Sequence, residues 1–364
     1  RDRYCSTDGL KSFVPLTAPD PVKYENSSYY GFVPQRITSD SRYIYITFAS
    51  SGEVFYGGMG AYACDTGSLS GGKVYRYRIE NGVPVFNKDI TPADETPCGY
   101  SGICSNGKML LLSTVCRENG GDIIYTSTDS GESWKIIMNG LEYSRFDWNI
   151  PYMKPRYNGG GNCVHWISDI KLSPFDSDTA LFNTGTGLFM ITGLASGDVL
   201  VKPFCEGIEE TVHLNVYTTP HGRNRIIDII GDLGGFAFED YDSECENSFA
   251  NENGDRYITC LNADFTLQRP EYIVATPRGN WTGKTKGGLI LSKDCGSTWE
   301  RLPMPRGLSE FIDQKLDNIE KPNVDSGWTA ISADGKRIMW AVAGGRGFSN
   351  KAVCYTDDEG KTWQ

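Results

Sequence analysis

An eight-residue pattern recurs along this chain and constrains its fold more than any other feature. It reads Ser127-Thr128-Asp129-Ser130-Gly131-Glu132-Ser133-Trp134, then Ser292-Lys293-Asp294-Cys295-Gly296-Ser297-Thr298-Trp299, then Thr356-Asp357-Asp358-Glu359-Gly360-Lys361-Thr362-Trp363. A worn copy runs from Ser6 to Phe13. The spacing describes a hairpin turn: the Asp accepts backbone N–H bonds, the Gly supplies positive φ, and the Trp packs beneath. A turn repeated in this way implies a repeated β unit. Each Asp is used up in its own turn, so none of them is read as catalytic or as a calcium ligand.

The rest of the chain agrees with a repeated β unit. Arg42 to Phe48, Lys73 to Arg78, Met109 to Ser113, Asp122 to Thr126 and Ile167 to Leu172 read as strands. So do Ala180 to Phe182, Gly187 to Ile191, Arg225 to Ile230, Tyr257 to Cys260, Tyr272 to Ala275, Gly288 to Ser292, Ile338 to Ala343 and Ala352 to Thr356. Asn81-Gly82 is a hairpin turn. Many short strands with tight turns suit a sandwich, a barrel or a propeller. The repeat is the Asp-box, and it selects an all-β fold of the β-propeller type. One segment differs: Gly307 to Lys321 puts Leu308, Ile312, Leu316 and Ile319 on one helical face, with Ser309 as N-cap and Pro322 as the stop.

Composition narrows the partners. The chain has 364 residues and a net charge of -11, which disfavours binding to a phosphate backbone, so no nucleic-acid partner is expected. No apolar run reaches membrane-spanning length. The eleven cysteines form no C-x-x-C pair, so neither a metal site nor a cofactor is expected. Cys98, Cys104 and Cys116 cluster in sequence, as do Cys245 and Cys260; they are bridges in an oxidising compartment or buried thiols otherwise. Asn26-Ser27-Ser28 and Asn280-Trp281-Thr282 are glycosylation acceptors if the protein is secreted by a eukaryote. Arg1 is not an initiator and Gln364 follows a motif Trp directly, so both ends read as edges of a fragment or a processed product.

The candidate site lies between Gly207 and Phe236. Paired carboxylates, Glu209 and Glu210, are followed by a polar–apolar alternation and a turn at Pro220 to Gly222. An apolar run, Ile226 to Ile230, then ends in Gly231-Asp232-Leu233-Gly234-Gly235. An acid among glycines at a strand end suits a catalytic carboxylate, because glycines permit a sharp turn and close approach of a ligand. The competing possibility is that Asp232 merely caps the turn.

Several motifs, in collinear order through nearly the whole chain, resemble the xyloglucanase-type glycoside hydrolases of family 74. Tyr75-Arg76-Tyr77 with Asp89-Ile90-Thr91-Pro92 is similar to that family's V-Y-R-Y…D-I-T-P blade. Trp166-Ile167-Ser168-Asp169-Ile170, Pro174-Phe175-Asp176 and Thr184-Gly185-Thr186-Gly187 resemble its W-I-x-x-L-x-I-D-P-F-D…Y-G-T-G segment. Gly207-Ile208-Glu209-Glu210-Thr211, Gly231-Asp232-Leu233-Gly234-Gly235-Phe236 and Ser332-Ala333-Asp334-Gly335 with Trp340 match its G-I-E-E-T, G-D-I-G-G-F and S-A-D-G…W.

The resemblance implies parts of two seven-bladed propellers, residues 1–205 and 206–364, around a cleft that binds a β-1,4-glucan. It implies an inverting hydrolase of xyloglucan or a related branched polysaccharide, secreted from the cell, with Asp232 as general acid. Such an enzyme holds two carboxylates roughly 6.5–9.5 Å apart, and burial raises the pKa of the acid. The base belongs to a D-x-G-G motif of the first propeller; none occurs before residue 231, so it is expected upstream of Arg1. Where the family continues G-F-R-H-D, this chain has Gly235-Phe236-Ala237-Phe238-Glu239-Asp240. Glu239, Asp240 and Asp242 are reserve carboxylates.

Sugar faces stack on aromatic rings, which makes Trp148, Trp166, Trp281 and Trp328 candidate platforms. Trp148 lies in a loop, Tyr143 to Gly161, that suits a cleft wall. Gly234 and Gly235 are candidate substrate contacts. Glu209 and Glu210 either line the cleft or fix the opening of the second propeller. His165, His213 and His221 show no metal spacing and read as structural. The alternative function is a non-catalytic extracellular propeller that binds glycan or protein or serves in structural assembly.

Overall fold

A computed structural model describes residues 4–16, 32–50, 71–93, 96, 98–117, 121–150, 153, 164–208, 211–245, 247–279, 285–305, 327–342 and 352–364. Regular structure among them is β, apart from a 3-10 turn at Tyr143–Arg145. The expected helix at Gly307 to Lys321 and both glycosylation triplets lie outside the described residues. No helix among the described residues is long and apolar enough to cross a membrane. The chain divides into two compact units, residues 1–150 with 162–209, and residues 151–161 with 210–364.

In the first unit, β1 (Tyr4–Cys5) and β2 (Val14–Pro15) form a ribbon around the worn repeat. Three antiparallel meanders follow: β3 (Phe32–Ser39), β4 (Tyr43–Ser50), β5 (Gly72–Glu80) and β6 (Val83–Asp89); β7 (Gly99–Ser105), β8 (Leu110–Val115), β9 (Ile123–Ser127) and β10 (Lys135–Asn139); β11 (Asp169–Leu172), β12 (Ala180–Thr184), β13 (Gly187–Thr192) and β14 (Leu200–Pro203). The second unit repeats the plan with β15 (Val212–Thr218), β16 (Ile226–Gly231), β17 (Gly234–Phe238) and β18 (Asn247–Ser248), then β19 (Cys260–Phe265), β20 (Ile273–Pro277), β21 (Ile290–Ser292) and β22 (Glu300–Arg301). Its third blade is β23 (Trp328–Ile331), β24 (Ile338–Val342) and β25 (Ala352–Thr356). First strands of successive blades pack side by side, β3 on β7 on β11 and β15 on β19 on β23. Stacked meanders with their first strands innermost are blades of a β-propeller.

Blades cohere through apolar side chains trapped between their faces. Ile227, Ile229, Phe249, Ile273, Ile290 and Trp299 share one such layer, all nearly or fully buried. Each large side chain buried there contributes roughly 1.5–3 kcal/mol. Outward positions alternate with these, the pattern a two-residue period writes into a strand.

The repeated turns carry one hydrogen-bond scheme. Asp129 Oδ1 accepts the N–H of Ser133 (2.9 Å), its Oδ2 accepts the Ser133 hydroxyl (2.6 Å), and Ser127 Oγ accepts the N–H of Gly131 (2.9 Å). The same three bonds recur around Asp294 and Asp358. They recur around Asp8 as well, where Leu10 stands in the glycine's place at φ 68°. The worn copy therefore keeps the whole scheme at the cost of a strained leucine. In the full copies two successive residues are left-handed, such as Ser130 (62°) and Gly131 (84°).

A buried side chain from the preceding blade catches each of two turns at the same carbonyl. Arg76 Nη1 donates to Ser130 O (2.8 Å), and Asn224 Nδ2 donates to Cys295 O (2.8 Å). Arg76 also meets Glu132 (2.7 Å), Asn87 (2.8 Å) and the ring of Tyr43 (4.5 Å). Its place in Tyr75-Arg76-Tyr77 is thus that of a clamp between blades.

One expectation needs correction, and for Cys245 and Cys260 the structure has the buried thiols of the two alternatives. The strand expected at Tyr257 to Cys260 begins only at Cys260, because residues 256–259 instead lie along the β16–β17 turn, with Gly234 bridged to Thr259. Cys245 and Cys260 form no bridge: Cys245 Sγ donates to Ala237 O (3.5 Å), while Cys260 is a fully buried free thiol directed at Asn262 O (3.4 Å). Burial pushes the Cys260 thiol up to about 12 and that of Cys104 up to about 11.

Candidate functional site

The site is built on the hairpin β16–β17. Ile230 pairs with Gly234, which leaves Gly231-Asp232-Leu233 to make the connection. Val212 pairs with Gly231, so β15 begins at the same blade end at which Asp232 stands. Asp232 is exposed and takes φ 64°, a left-handed conformation that Asp tolerates better than most residues. Leu233 is buried with Ile230, Phe236 and Cys245 and anchors the tip. Gly234 has φ 81°, and a Cβ there would stand 2.5 Å from Tyr257 O; at Gly235 it would stand 2.8 Å from Asp228 O and from the Phe249 ring. Both glycines therefore answer to close packing inside the unit.

Residues 256–259 bind the tip at three consecutive positions. The N–H of Asp232 donates to Thr259 Oγ1 (3.0 Å), Arg256 Nη2 donates to Leu233 O (2.8 Å), and the N–H of Gly234 donates to Ile258 O (2.9 Å). Among the described residues nothing bonds the Asp232 carboxylate. The burial expected for an acid at a cleft floor is not found within this unit, because the turn buries Leu233 and points its neighbour outward.

A second polar group stands at the same blade end. His213 Nδ1 contacts both carboxylate oxygens of the buried Asp228 (2.9 and 3.0 Å), and its Nε2 meets the Thr211 hydroxyl (2.6 Å). His213 is bonded at both nitrogens, as a structural residue would be, yet its side chain is 53% exposed. The sequence hint for this pairing was Asp228, the one charge within the apolar run Ile226 to Ile230.

The reserve carboxylates lie elsewhere. They follow β17, whose five residues carry them roughly 17 Å from the Asp232 turn. Glu239 pairs with Arg223. Asp240 accepts the N–H groups of Asp242 (2.9 Å) and Ser243 (2.8 Å), and bonding from Ser243 holds its carboxyl below the ordinary range. Ala237 is buried in the layer facing the next blade, and Phe238 packs beside Phe236, so neither stands at the tip.

The tryptophans divide. Trp148 stacks on Phe146 (4.9 Å) and meets Phe189 edge-on (6.4 Å), so it is packed into the first unit. Trp166 is 45% exposed and holds φ 61°, an outlier for so large a residue. The cause is next to it: buried Asp122 accepts the N–H of Ile167 (3.0 Å), and Gly185 gives the indole room, since a Cβ there would lie 3.3 Å from the ring. Burial pushes the Asp122 carboxyl up, against the attraction of His165. Trp328 is 62% exposed at the start of β23, the blade end equivalent to that of Asp232. Glu209, Glu210 and Trp281 lie outside the described residues. Cavities of about 520 and 480 Å³ in the first unit, beside Lys73 and Trp134, contain none of the expected site residues. Among the described residues no cluster of His, Cys, Asp and Glu is arranged to hold a metal ion.

No protein-family profile matches the sequence. A xyloglucanase of Paenibacillus sp is 24% identical over 293 residues, 73% of this chain and 25% of that protein. An oligoxyloglucan-reducing end-specific xyloglucanase of Emericella nidulans is 25% identical over 367 residues, 90% of this chain and 42% of that protein. The crystal structure of a family-74 xyloglucanase from Xanthomonas campestris superposes with a TM-score of 0.71 at 20% identity, over 99% of this chain and 45% of that one. A family-74 enzyme from Niastella koreensis gives 0.69 at 19% identity, over 99% and 44%. The chain spans less than half the length of these relatives. By sequence it is similar to xyloglucanases, and its fold is that of the family-74 structures, a β-propeller architecture.

Proposed function

We propose that this chain is part of an inverting glycoside hydrolase that cleaves the β-1,4-glucan backbone of xyloglucan or a related branched polysaccharide, outside the cell and without a cofactor. Residues 1–205 and 206–364 contribute to two seven-bladed propellers. The observation that carries the reading is the Asp232 turn: its main chain is bound at three successive residues while its carboxylate is left to the solvent.

In the reaction Asp232 gives its proton to the glycosidic oxygen as the bond from C1 breaks. A second carboxylate, from the first propeller, takes a proton from the water that attacks C1 on the opposite face. The step requires Asp232 in its protonated form. Trp166 and Trp328, both exposed, are the stacking platforms. The second reading, a non-catalytic propeller that binds glycan or protein, draws on the missing basic pair at Ala237 and Phe238. Against it, those two positions lie away from the tip, so their change removes nothing from beside Asp232.

The deciding experiment incubates tamarind-type xyloglucan with the full-length protein and with its Asp232→Asn variant, reading reducing ends and the anomeric form of the product. Release of α-configured ends by the wild type, collapsing in the variant, supports the hydrolase. A folded wild type inactive on xyloglucan and mixed-linkage glucan leaves the binding propeller.

A further inference from the structure

We infer that Arg256 and Thr259 are positioning residues that hold the Asp232 turn in its working conformation. The catalytic part of this inference rests on the hydrolase reading. Asp232 sits at φ 64°, a left-handed conformation that Asp tolerates and that contacts around the turn can hold in place. Strand pairing does not enforce it, since the β16–β17 ladder ends at Ile230 and Gly234. The enforcing contacts come from residues 256–259. Thr259, 6% exposed, takes the Asp232 N–H on its hydroxyl oxygen, and its own main chain is tied by the Arg278 N–H at 2.7 Å. Arg256, 3% exposed, donates to the Leu233 carbonyl and lies 5.3 Å from the Phe236 ring.

The chemistry of the two is unequal. Thr259 fixes the peptide from which the acid side chain projects. Arg256 brings a buried guanidinium to the Leu233 carbonyl, on the far side of the Asp232–Leu233 peptide. The two bonds flank the Asp232–Leu233 peptide and prevent it from rotating, while no atom of the clasp engages the carboxylate itself.

The test uses the full-length protein and the variants Thr259→Val, Thr259→Ser and Arg256→Lys. Thr259→Val keeps the shape and removes the acceptor; Thr259→Ser restores it. Amide hydrogen exchange over residues 231–235 is expected to accelerate about tenfold in Thr259→Val and to return to the wild-type rate in Thr259→Ser, with β20 and β24 unchanged. Arg256→Lys is expected to accelerate the same amides. On xyloglucan, Thr259→Val is expected to lose about tenfold in kcat with KM held, and Thr259→Ser to recover it. Unchanged exchange at the tip, or equal acceleration throughout the unit, overturns the clasp. Altered exchange with unaltered kcat overturns its catalytic role. An inactive wild type removes the hydrolase reading, and the exchange result still decides the clasp.

Discussion

The backbone N–H of Asp232 donates to the hydroxyl of Thr259, 27 residues further on, at 3.0 Å. The bond explains how an aspartate stands in a left-handed conformation at the tip of a hairpin. It also sets what a substitution there does. Asn keeps the N–H and tolerates that conformation, so Asp232→Asn is expected to melt within about 2 °C of wild type while losing roughly 100-fold or more in hydrolysis. Val is β-branched, and Asp232→Val is expected to cost about 1–2 kcal/mol in addition. Thermal unfolding beside a reducing-end assay separates the two losses.

Gly234 and Gly82 share a φ near 80° but not a neighbourhood. A Cβ at Gly82 meets nothing within 4 Å, whereas one at Gly234 stands 2.5 Å from Tyr257 O. Gly82→Ala is expected to cost about 1 kcal/mol, the conformational strain alone. Gly234→Ala is expected to cost about 3 kcal/mol or more, because the backbone beside it must move. Urea midpoints at constant slope would measure both.

The repeated turns predict an acid transition. Bonds from the hydroxyl and N–H of Ser133 and from the hydroxyl of Ser127 lower the Asp129 carboxyl to about 2, from an ordinary 3.8. Asp8 and Asp358 are lowered to about 2 by the same arrangement. A folded pKa below the unfolded one stabilises above the unfolded value, and that stability is lost as pH falls through the folded value. The melting temperature is therefore expected to fall between about pH 4 and pH 2, and Asp129→Asn to show a shallower fall over the same interval. An unchanged slope in the variant would count against the turn as the source.

The tryptophans should separate by assay. Trp166→Ala and Trp328→Ala remove exposed rings and are expected to weaken binding of a xyloglucan oligosaccharide about tenfold with little change in melting. Trp148→Ala removes a ring stacked on Phe146 and is expected to destabilise by about 3 kcal/mol. Calorimetric titration and thermal unfolding distinguish them, and a Trp166→Ala variant that binds normally would remove that platform.

Asn224 is 2% exposed and reaches Cys295 O across 71 positions of sequence. Asn224→Ala leaves that carbonyl in the blade interface without its donor, and a loss of about 1–3 kcal/mol is expected by chemical denaturation.

Much of the fold was legible because it is local. The Asp-box bonds join residues four positions apart, so Ser, Asp, Gly and Thr at fixed spacing suffice to write them. Even Ser6 to Phe13, with Leu10 in the glycine's place, folds to the same scheme. The hairpin at Asn81-Gly82 is equally local, with φ of 50° and 80° between Glu80 and Val83. Asp232 could be singled out for the same reason, as an acid among the glycines that its turn requires.

Residue order alone writes the repeated β unit and the carboxylate at one of its turns, since hydrogen bonds between near neighbours depend on nothing else. The tertiary structure decided what those pieces do together. Tyr257 to Cys260 reads as a strand in sequence, yet residues 256–259 serve as the clasp on Asp232, where they take the N–H groups of Asp232 and Gly234 and add a donor to the Leu233 carbonyl that Gly235 already bonds. Trp148 and Trp166 look alike in sequence; packing against Phe146 and Phe189 half-buries one, and Asp122 holds the other out in a strained conformation. His213 finds Asp228 because a bulge in the β15–β16 register brings two distant residues to the same face. Such contacts depend on which strands lie side by side, and only the packed blades supply that.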